Sequence, residues 1–576
     1  MSLITQPTKL ELEGVGTLTV RSSDYLTQGG EGAIYRKGNH IIKLALDQHK
    51  LVHSRLPEKI ALLRSRLSHP SIVTPSGMVT DGAGKTVGYY MPYVTGEPYP
   101  RLFTNDWRNK NGFTNAAVTK LTSIMHDVVS HAHQAHALLV DSNELNWLAD
   151  VSNVHQPTPH IIDVDSWQID SFKASVIMPS IRDWHGPISE SSDWFAWGIV
   201  SFLLYTGIHP YKGKLDGYKP GEMERRMKDN ASVFLPEVRL NKAVRDFSGI
   251  PGPLLDWYQA TFTHGERSMP PSPQQTGKAT TTVSRVLHIV STTNGGLVYE
   301  ELLRLPGENI ISVWPCGVVR TDQGNLVEVV SKKVIGKVSG VRVAVVAQAN
   351  GWLVAEEVSG KWQFRFLHRN EPDVSLELSL SVKGVVRSGE RLFITNDHEL
   401  VELTLQMFSK PVLSAGRRWQ ILGTSTRFFT GVGVSDVLGA LHLNVPFEAE
   451  AVSVVRTPEL DGKHIISAIA HGRIASVLTI DPSGQYQVFD YTATEHWRSY
   501  SVTTRTSDNP GLNQTILPKG VTADIRDDGE LVITVPTNGT QKVVRDKDLL
   551  TTMRLSAIGN QVVYRHNGAL WSLRMQ

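Results

Sequence analysis

Four polar side chains beside two short apolar runs have the types and spacing of a metal site. Asp141 and Asn146 lie five residues apart in DSNELN, while Asp163 and Asp165 flank a valine directly after the run HII. Carboxylate and amide oxygens suit a hard cation such as Mg²⁺, which keeps several waters and binds phosphate oxygens. The spacing therefore predicts a site for a metal ion and a nucleotide, with exposed surface turns as the alternative.

A glycine-rich turn near the N-terminus has the composition of a phosphate-binding loop. Gly29, Gly30 and Gly32 lie between two β-like runs in LTQGGEGAIYRKGNHIIKLAL, and Lys43 is on the second run. Glycines let the backbone close over phosphates and present its N–H groups. Glu58 follows on a predicted helix, and a lysine in a cleft needs such a carboxylate partner. The alternatives are an ordinary hairpin and, for Glu58, a solvated helix face.

Amphipathic helices must position these residues in the first half of the chain. PEKIALLRSRLSH (57–69) has apolar residues at 60, 62, 63 and 67, and AVTKLTSIMHDVVSHAHQAHALL (117–139) ends just before Asp141. Both patterns are typical of amphipathic helices. The apolar stretch WFAWGIVSFLLYTGI (194–208) is too short for a comfortable membrane span and ends in a Gly/Pro turn, so it predicts a buried helix.

The composition of the chain changes near residue 270. SMPPSPQQTGKATTT (268–282) is rich in Pro, Ser, Thr and Gln, as linkers are. We therefore predict domains at 1–270 and 284–576, joined by a linker at 271–283. Beyond the linker the chain consists of short Val, Leu, Ile and Thr runs separated by Gly, Asn and Asp, which predicts an all-β domain.

A turn followed by a short strand recurs in this second half. The copies are NGGLVYE (294–300), DQGNLVEV (322–329), ANGWLVAE (349–356), NDHELVEL (396–403), PSGQYQVF (482–489), DDGELVIT (527–534) and HNGALWSL (566–573). Radial repetition of small antiparallel sheets produces such spacing, at roughly 40–50 residues per blade. The repeat predicts a β-propeller of six or seven blades, with an irregular pair of β-sandwiches as the alternative.

Bulk composition excludes several classes of protein. The 576 residues include 58 Lys+Arg and 56 Asp+Glu, a net charge of +2, so no nucleic-acid partner is indicated. The single cysteine, Cys316, excludes a disulfide framework and a cysteine-based zinc site. The N-terminus lacks the basic and apolar regions of a signal peptide. We expect a soluble, cytoplasmic protein with no membrane segment.

Two other motif-like segments are predicted to be structural. TDGAGKTVG (80–88) has Val79 where a Walker motif needs its first glycine, and neither the strand nor the helix of that motif adjoins it. His131, His133 and His136 lie close together, but on a helix only the last two share a face and no carboxylate completes a metal site. We interpret these segments as a hairpin turn and as part of a helix.

The order of the candidate motifs resembles the catalytic core of protein kinases. In that core a glycine loop, a strand lysine and a helix glutamate precede D-x-x-x-x-N, a β-hairpin and an apolar strand that ends in a metal-binding Asp. SDWFAWGIVSFLLYTGIHPYKG (192–213) follows and resembles the kinase helix that begins D-x-W-x-x-G. The resemblance covers about 20–270. IDVDSWQI is similar to a divergent bacterial and phage group with D-x-D-S-[FW]-Q in place of Asp-Phe-Gly.

This resemblance implies an α+β bilobal domain, ATP and Mg²⁺ as cofactors, and a role for each candidate residue. Lys43, paired with Glu58, would hold the α- and β-phosphates, and Asp141 would accept the proton of the substrate hydroxyl. Asn146 and Asp163 would hold Mg²⁺, with Asp165 in direct or water-mediated contact. The residues around the adenine and the phosphates would be Gly29, Gly30, Gly32, Ile34, Ile41, Met91 and Tyr93.

The sequence departs from the common kinase pattern in four places. LLVD replaces His-Arg-Asp, which argues against activation by loop phosphorylation, and Asn143 stands where a lysine often contacts the γ-phosphate. Asp165 replaces the glycine of Asp-Phe-Gly. Ser180 stands in place of the glutamate of Ala-Pro-Glu, so Arg267 is predicted to lack its usual acidic partner.

The resulting prediction is a serine/threonine protein kinase that transfers the γ-phosphoryl group of ATP to protein hydroxyls. Its C-terminal β-domain would recruit or regulate. The alternatives are a catalytically weak nucleotide-binding scaffold and a kinase-fold protein nucleotidyl transferase. A protein substrate is implied as partner, and genes of the resembled group often lie near a metal-dependent phosphatase and a von Willebrand A-domain protein.

Overall fold

A computed structural model describes residues 3–29, 32–47, 51, 55–174, 177–219, 221–241, 243–279, 286–287, 296–448, 451–481, 483–527, 529–535, 540–546 and 548–575. Gly30, predicted to lie over phosphates, is outside these described residues, as are residues 280–283 of the predicted linker. Among the described helices, none combines the length and hydropathy that a membrane span requires.

The N-terminal part of the chain forms a seven-stranded antiparallel sheet in the order β2-β1-β6-β7-β5-β4-β3. Its strands are β1 (Thr8–Leu12), β2 (Gly16–Val20), β3 (Tyr25–Gln28), β4 (Gly32–Lys37), β5 (His40–Ala45), β6 (Gly77–Thr80) and β7 (Thr86–Pro92). Successive side chains of a strand point to opposite faces, so Ile42 and Leu44 enter the apolar core of the sheet while Lys43 faces the other way. Ile41 lies on the face of Lys43 and packs with Ile60 of the first helix.

The helices of the described residues are α1 (Leu56–Arg66), α2 (Tyr99–Leu102), α3 (Asn105–Asn111), α4 (Asn115–Gln134), α5 (Glu190–Thr206), α6 (Met223–Lys228) and α7 (Gly252–Thr263). The largest apolar core surrounds α4 and α5. The side chain of Ser189 caps the N-terminus of α5 by accepting from Ser192 N, and Gly207, with φ 77°, ends the helix. This helix is buried along most of its length, which confirms the prediction from the apolar stretch.

Short strands connect the sheet to the helical part. They are β8 (Glu97–Pro98), β9 (Ala137–Leu138), β10 (Trp147–Asp150), β11 (Thr158–Ile161) and β12 (Gln168–Ile169). The strands β10 and β11 form an antiparallel hairpin in which Trp147 is opposite Ile161. This hairpin begins directly after Asn146 and ends just before Asp163. It therefore brings the chain segments of Asn146 and Asp163 next to each other.

The segment before the second half of the chain packs on the first half. Gly252 begins α7, and a methyl group at its Cα would lie 2.4 Å from both Ala279 N and Gly277 O. Only glycine allows this close approach of the two backbones. A short parallel pair of strands, β13 (Arg239–Leu240) and β14 (Val286–Leu287), adds a second contact. Part of the predicted linker therefore lies against the first half.

From residue 297 the described residues form seven four-stranded antiparallel sheets. Six of them use consecutive strands: β16 (Ile310–Trp314), β17 (Val318–Thr321), β18 (Asn325–Glu328) and β19 (Lys333–Lys337); β20 (Val343–Gln348), β21 (Gly351–Val358), β22 (Lys361–His368) and β23 (Val374–Leu376); β24 (Gly384–Ser388), β25 (Arg391–Thr395), β26 (Glu399–Met407) and β27 (Pro411–Gln420); β28 (Thr426–Phe429), β29 (Val432–Val437), β30 (Ala440–Glu448) and β31 (Ala451–Arg456); β32 (His464–His471), β33 (Ile474–Ile480), β34 (Tyr486–Ala493) and β35 (Tyr500–Ser507); β36 (Gln514–Ile516), β37 (Thr522–Ile525), β38 (Leu531–Val535) and β39 (Thr540–Val544).

The seventh sheet joins the two ends of this region. Its order is β15-β42-β41-β40, where β15 is Leu297–Leu303, β40 is Arg554–Ile558, β41 is Gln561–His566 and β42 is Ala569–Met575. Neighbouring sheets pack through apolar side chains, such as Trp314 with Val345 and Phe393 with Phe428. The prediction that the second half is all-β is confirmed.

The β-region contacts both structural parts of the first half. Asp436 accepts hydrogen bonds from the Tyr25 hydroxyl at 3.3 Å and from Thr27 Oγ1 at 3.2 Å, at the edge of the N-terminal sheet. Lys212 Nζ donates to Gly484 O at 3.3 Å and lies 4.6 Å from the centre of the Tyr486 ring. The β-region therefore bridges the N-terminal sheet and the helical part.

Candidate active site

Lys43 is the centre of a buried ionic cluster between the N-terminal sheet and the segment after β11. Its Nζ lies 2.6 Å from Asp163 Oδ1, and 3.1 and 3.0 Å from the two oxygens of Asp165. The Asp165 side chain is 7% exposed, whereas that of Asp163 is 38% exposed. The structure thus brings three predicted site residues together, with Asp163 on the open side and Asp165 behind it.

The local backbone explains how both aspartates reach one lysine. Asp163 adopts the left-handed conformation, with φ 61° and ψ 35°, and a single 3₁₀ turn follows at Val164–Ser166. The hydroxyl of Ser166 closes this turn by donating to Asp163 O at 2.7 Å. Aspartate tolerates this conformation better than most residues because its short side chain can hydrogen-bond locally. The turn places the two carboxylates on the same side of the backbone.

The two carboxyl groups of the cluster differ in the direction in which their pKa is shifted. Burial opposes ionisation of Asp165, but the positive charge of Lys43, with help from Tyr89 and Lys59, holds its pKa below the ordinary value. Burial raises the pKa of Asp163, and the neighbouring Asp165 adds to the rise while Lys43 opposes it. Burial also opposes the charge of Lys43, yet the carboxylates raise its pKa well above the ordinary value. Asp165 is therefore the fixed counter-ion of Lys43.

Glu58 does not hold Lys43, contrary to the sequence prediction. Its side chain is 56% exposed and forms an ion pair with Arg55. The buried face of α1 instead carries Lys59, whose Nζ donates to the backbone oxygen of Asp165 at 2.6 Å. Consecutive helix residues are rotated by about 100°, so a shift of one position exchanges an exposed residue for a buried one. The predicted helix is correct, and its orientation toward Lys43 was wrong.

Gly32, at the start of β4, lies next to Lys43. Gly29 N donates to Gly32 O at 2.9 Å, which joins the end of β3 to the start of β4. A methyl group on Gly32 would lie 2.9 Å from Lys43 Cγ and 3.1 Å from Leu44 O, so a larger residue would displace the lysine. Ile34 is opposite Lys43 in the strand register and shares its face of the sheet.

The other residues predicted to surround the adenine lie along the same sheet. Ile41 is opposite Met91 in the register of β5 and β7, and both pack in a small cluster with Tyr89. Tyr93 lies just beyond β7, and the guanidinium of Arg36 stacks on its ring at 3.6 Å. Ile34, Ile41 and Met91 thus form an apolar wall next to Lys43, while the ring of Tyr93 is engaged by Arg36.

The loop that carries Asp141 and Asn146 meets the Asp163 segment. Asn146 Nδ2 donates to Asp141 O at 2.7 Å, and Asn146 O accepts from Ile162 N at 2.9 Å. Asp141 Oδ1 accepts from Met178 N at 2.7 Å. Burial raises the pKa of Asp141, although the Met178 amide and the Asn143 side chain oppose the rise. A carboxylate with a raised pKa is suited to accepting a proton.

Asp193 anchors this loop and was not among the predicted site residues. Its side chain is fully buried at the start of α5 and accepts from Leu139 N and Val140 N, both at 2.9 Å. His133 Nε2 lies 3.0 Å from the same carboxylate. Val140 has a left-handed φ of 62°, which the two hydrogen bonds hold in place. The available sequence signal was the aspartate that opens DWFAWG (193–198), a segment that resembles D-x-W-x-x-G with Phe195 in the position of its tryptophan.

The donor set of the site fits a hard cation. Asn146 uses its amide nitrogen for Asp141 O, and within the described residues nothing donates to its Oδ1. Asp163 follows Ile162, whose N–H donates to Asn146 O, and offers a carboxylate that is 38% exposed. No group of three or more His, Cys, Asp and Glu side chains suited to a metal occurs in the described part of the chain. One carboxylate and one amide oxygen suffice for Mg²⁺ only when phosphates and waters complete its shell.

Arg267 has an acidic partner, contrary to the sequence prediction. Its Nε and Nη2 donate to the two oxygens of Asp183 at 2.6 and 2.8 Å, a bidentate ion pair whose carboxylate is 4% exposed. Burial opposes ionisation of Asp183, but Arg267 holds its pKa below the ordinary value. The partner lies three residues beyond Ser180, because the backbone turns at Pro179–Ile181 before it reaches Arg267.

Removal of Arg267 is expected to destabilise the first half strongly. Arg267→Gln leaves the buried Asp183 carboxylate uncompensated, which costs about 3 kcal/mol. We expect a lower midpoint of urea unfolding, followed by tryptophan fluorescence. Arg304→Gln is the matched control, since Arg304 and Glu301 form an exposed pair that water screens, so its loss should change the midpoint little. Equal midpoints for the two variants would contradict the structural role of the Arg267–Asp183 pair.

Comparisons with known proteins do not show a family for this chain. No protein-family model matches the chain, and no curated protein matches it. Among solved structures that match is the autoinhibited serine kinase domain of the giant muscle protein titin. It shares 15% sequence identity and a TM-score of 0.33, over 43% of this chain and 75% of that chain. This TM-score is too low to show a common fold, so the chain has a protein kinase domain as a weak structural neighbour only.

Proposed function

We propose that the protein is an ATP- and Mg²⁺-dependent serine/threonine protein kinase. The observation that carries this proposal is the meeting of three segments: Lys43 on β5, Asp163 after the β10–β11 hairpin, and the Asp141–Asn146 loop, joined through the Asn146 O to Ile162 N hydrogen bond. A cation, a metal ligand and a base at one place are the parts that phosphoryl transfer needs.

In this proposal each residue has one task. Lys43 exchanges its contact with Asp163 for the phosphates of ATP, and Asp165 keeps the lysine in place, a task that Glu58 cannot perform from the surface. Asp163 and Asn146 hold Mg²⁺, which when bound neutralises phosphate charge. Asp141 accepts the proton of the substrate hydroxyl, and the Met178 amide holds its carboxylate toward the segment where a substrate would lie.

An assay with labelled ATP tests this function against its alternatives. We expect the label of [γ-³²P]ATP, and not that of [α-³²P]ATP, to appear on a general acceptor protein or on the chain itself. Transfer from the α-position only would identify a nucleotidyl transferase. Absence of transfer from both, with ATP binding retained, would identify a nucleotide-binding scaffold. The Asp141→Asn variant is the control, because it removes the proton acceptor and leaves the phosphate ligands unchanged.

We further propose that the seven sheets are the blades of a closed β-propeller. Support comes from the β15–β42 pairing, which completes the last sheet with the first strand, and from the apolar packing of each sheet on its neighbour. Seven blades agree with the upper of the two predicted numbers. The contacts of the β-region at Asp436 and Gly484 favour a regulatory role for this region. They engage β3, the strand before the glycine-rich turn, and the helical part of the first half at the same time. We also propose the partners that the resemblance to protein kinases implies. They are a protein substrate, a metal-dependent phosphatase and a von Willebrand A-domain protein.

A further inference from the structure

A turn of the β-region packs on the helical part of the first half, next to Ser180. It connects β33 to β34, and we call its described residues, 481 and 483–485, the β33–β34 turn. A methyl group at the Cα of Gly484 would lie 2.5 Å from Ser180 Cβ and 2.8 Å from Ser180 Oγ. Gly484 O also accepts a hydrogen bond from Lys212 Nζ at 3.3 Å. Only glycine allows the turn to approach the Ser180 segment this closely.

The strands that carry this turn also contact the loop between Asp141 and Asn146. Leu145 of the loop packs on an apolar cluster formed by β32, β33 and β34. Tyr486 belongs to the same cluster, and Lys212 Nζ lies 4.6 Å from the centre of its ring. One sheet of the β-region therefore contacts two segments of the first half, the Asp141–Asn146 loop and the turn at Ser180.

These two segments hold the carboxylate of Asp141 between them. Asp141 Oδ1 accepts from Met178 N at 2.7 Å, and Ser180 follows Met178 by two residues. In the proposed kinase, a protein substrate brings its hydroxyl to Asp141 and must lie along the segments that flank this carboxylate. The phosphates of ATP would instead contact Lys43, on a strand of the N-terminal sheet. The β33–β34 turn therefore occupies space beside the acceptor side of the site.

The contact buries polar groups that it does not satisfy. The Ser180 and Tyr486 hydroxyls are buried and form no hydrogen bond within the described residues. Lys212 is 5% exposed, and in the part of the chain that the structure describes no carboxylate forms an ion pair with it. Burial of polar groups without full pairing costs free energy, which is regained when water reaches them. This cost opposes the apolar packing of Leu145, so the contact is suited to opening.

We propose that the β33–β34 turn is an autoinhibitory element, which keeps a protein substrate away from Asp141 until its contact with Ser180 opens. This regulation rests on the proposed kinase function and adds to it how access to the site is controlled. In the closed state the turn covers the acceptor side, whereas the residues proposed to hold ATP belong to the first half in both states. Opening should therefore change the use of a protein substrate and leave ATP binding unchanged.

Gly484→Ala in the full-length chain tests this contact. Its methyl group cannot remain 2.5 Å from Ser180 Cβ, so the turn must move away from the first half. We expect kcat/KM for casein, with [γ-³²P]ATP as donor, to rise about tenfold, since overpacking by one methyl group shifts a closed contact toward its open state by about this factor. The Kd of ATP–Mg²⁺, measured by isothermal titration, should stay unchanged.

Two variants separate this clash from backbone strain. Gly462→Ala is the matched control, because Gly462 has a similar left-handed φ of 70°, against 77° for Gly484, but an added methyl group there would meet no atom within 4 Å. It should leave kcat/KM for casein unchanged. Ser180→Gly combined with Gly484→Ala removes the opposing Cβ, so it should close the contact again and return kcat/KM to the value of the unmodified chain.

Hydrogen exchange of residues 483–486 shows independently whether the contact has opened. Faster exchange in Gly484→Ala with unchanged kcat/KM for casein would overturn the autoinhibitory role and leave the kinase function standing. Absence of transfer by every variant, the opened ones included, would overturn the kinase function and the autoinhibition with it. Should circular dichroism show that Gly484→Ala is unfolded, Ser180→Thr replaces it, because it crowds the same contact from the other side and should raise kcat/KM in the same way.

Discussion

Replacement of Lys43 by alanine is expected to lower γ-phosphoryl transfer by about 10²–10³-fold, the range seen when one preorganised charge donor is removed from an active site. Lys43 is the one lysine within 3.1 Å of both Asp163 and Asp165 among the described residues. Its ammonium group would position the phosphates of ATP relative to the substrate hydroxyl. The rate of label transfer at saturating ATP measures the loss directly.

Two further variants separate catalysis from folding in this experiment. Lys37→Ala is the matched control, because Lys37 also lies on a strand of the first sheet and pairs with a carboxylate, Asp24, at 2.9 Å, away from the cleft. It should retain near-normal transfer. Lys43→Met keeps the length of the apolar stem but removes the charge that compensates Asp163 and Asp165. Its unfolding midpoint therefore shows how much the loss of this charge destabilises the folded protein. Near-normal transfer by Lys43→Ala would mean that another cation performs this task.

The sequence was sufficient to predict which segments meet at this site. Lys43, Asp163, Asp141 and Asn146 were each predicted from the order of motifs, and the structure brings their segments together. Local patterns decide this outcome: an apolar strand ends at a carboxylate, and a hairpin of fixed length returns the chain. Asp141, Asn146 and Asp163 lie in one short stretch of chain, where pattern and turn chemistry are informative, whereas Lys43 was placed by the order of motifs alone.

The rotation of α1, which turns Glu58 away from Lys43, could not be predicted in the same way. A helix was correctly expected from residue 57, but its rotation depends on how it packs on the sheet. The apolar residues Ile60 and Leu63 give the buried face, and Lys59 shares that face because it precedes Leu63 by four positions. A charged residue on a buried face is costly unless it is paired. The backbone oxygen of Asp165, which supplies that pairing, has no signature in the sequence.

Distance along the chain limited the other predictions. The acid that pairs with Arg267 was sought at the position of Ser180, while the real partner, Asp183, depends on the path of an irregular loop. The closing strand pair joins β15 to β42 across some 270 residues, and no local pattern connects them. Only the folding of each half brings these groups together.

Substitution of Asp163 and of Asp165, the two aspartates after β11, should affect ATP binding and stability differently. Asp163→Asn should abolish Mg²⁺-dependent ATP binding and leave the unfolding midpoint unchanged or slightly higher. Asp163 is the more exposed carboxylate, and burial together with Asp165 raises its pKa, so its ionised form is disfavoured in the folded protein. An amide of the same shape removes that electrostatic cost and also removes the proposed metal ligand. Isothermal titration of ATP, with and without Mg²⁺, measures this effect.

Asp165→Asn should show the opposite combination, with a large loss of stability and a smaller effect on ATP binding. Its carboxylate is nearly buried, holds Lys43 through both oxygens, and has a pKa that Lys43 keeps low. Removing the charge leaves two lysines, Lys43 and Lys59, close to a single acid, and loss of one partner of a buried ion pair costs about 3 kcal/mol. We expect a clear fall in the unfolding midpoint, with ATP–Mg²⁺ binding weakened only because Lys43 is less well positioned. Normal binding by Asp163→Asn combined with lost binding by Asp165→Asn would transfer the metal to Asp165 and leave Asp163 as the partner of Lys43.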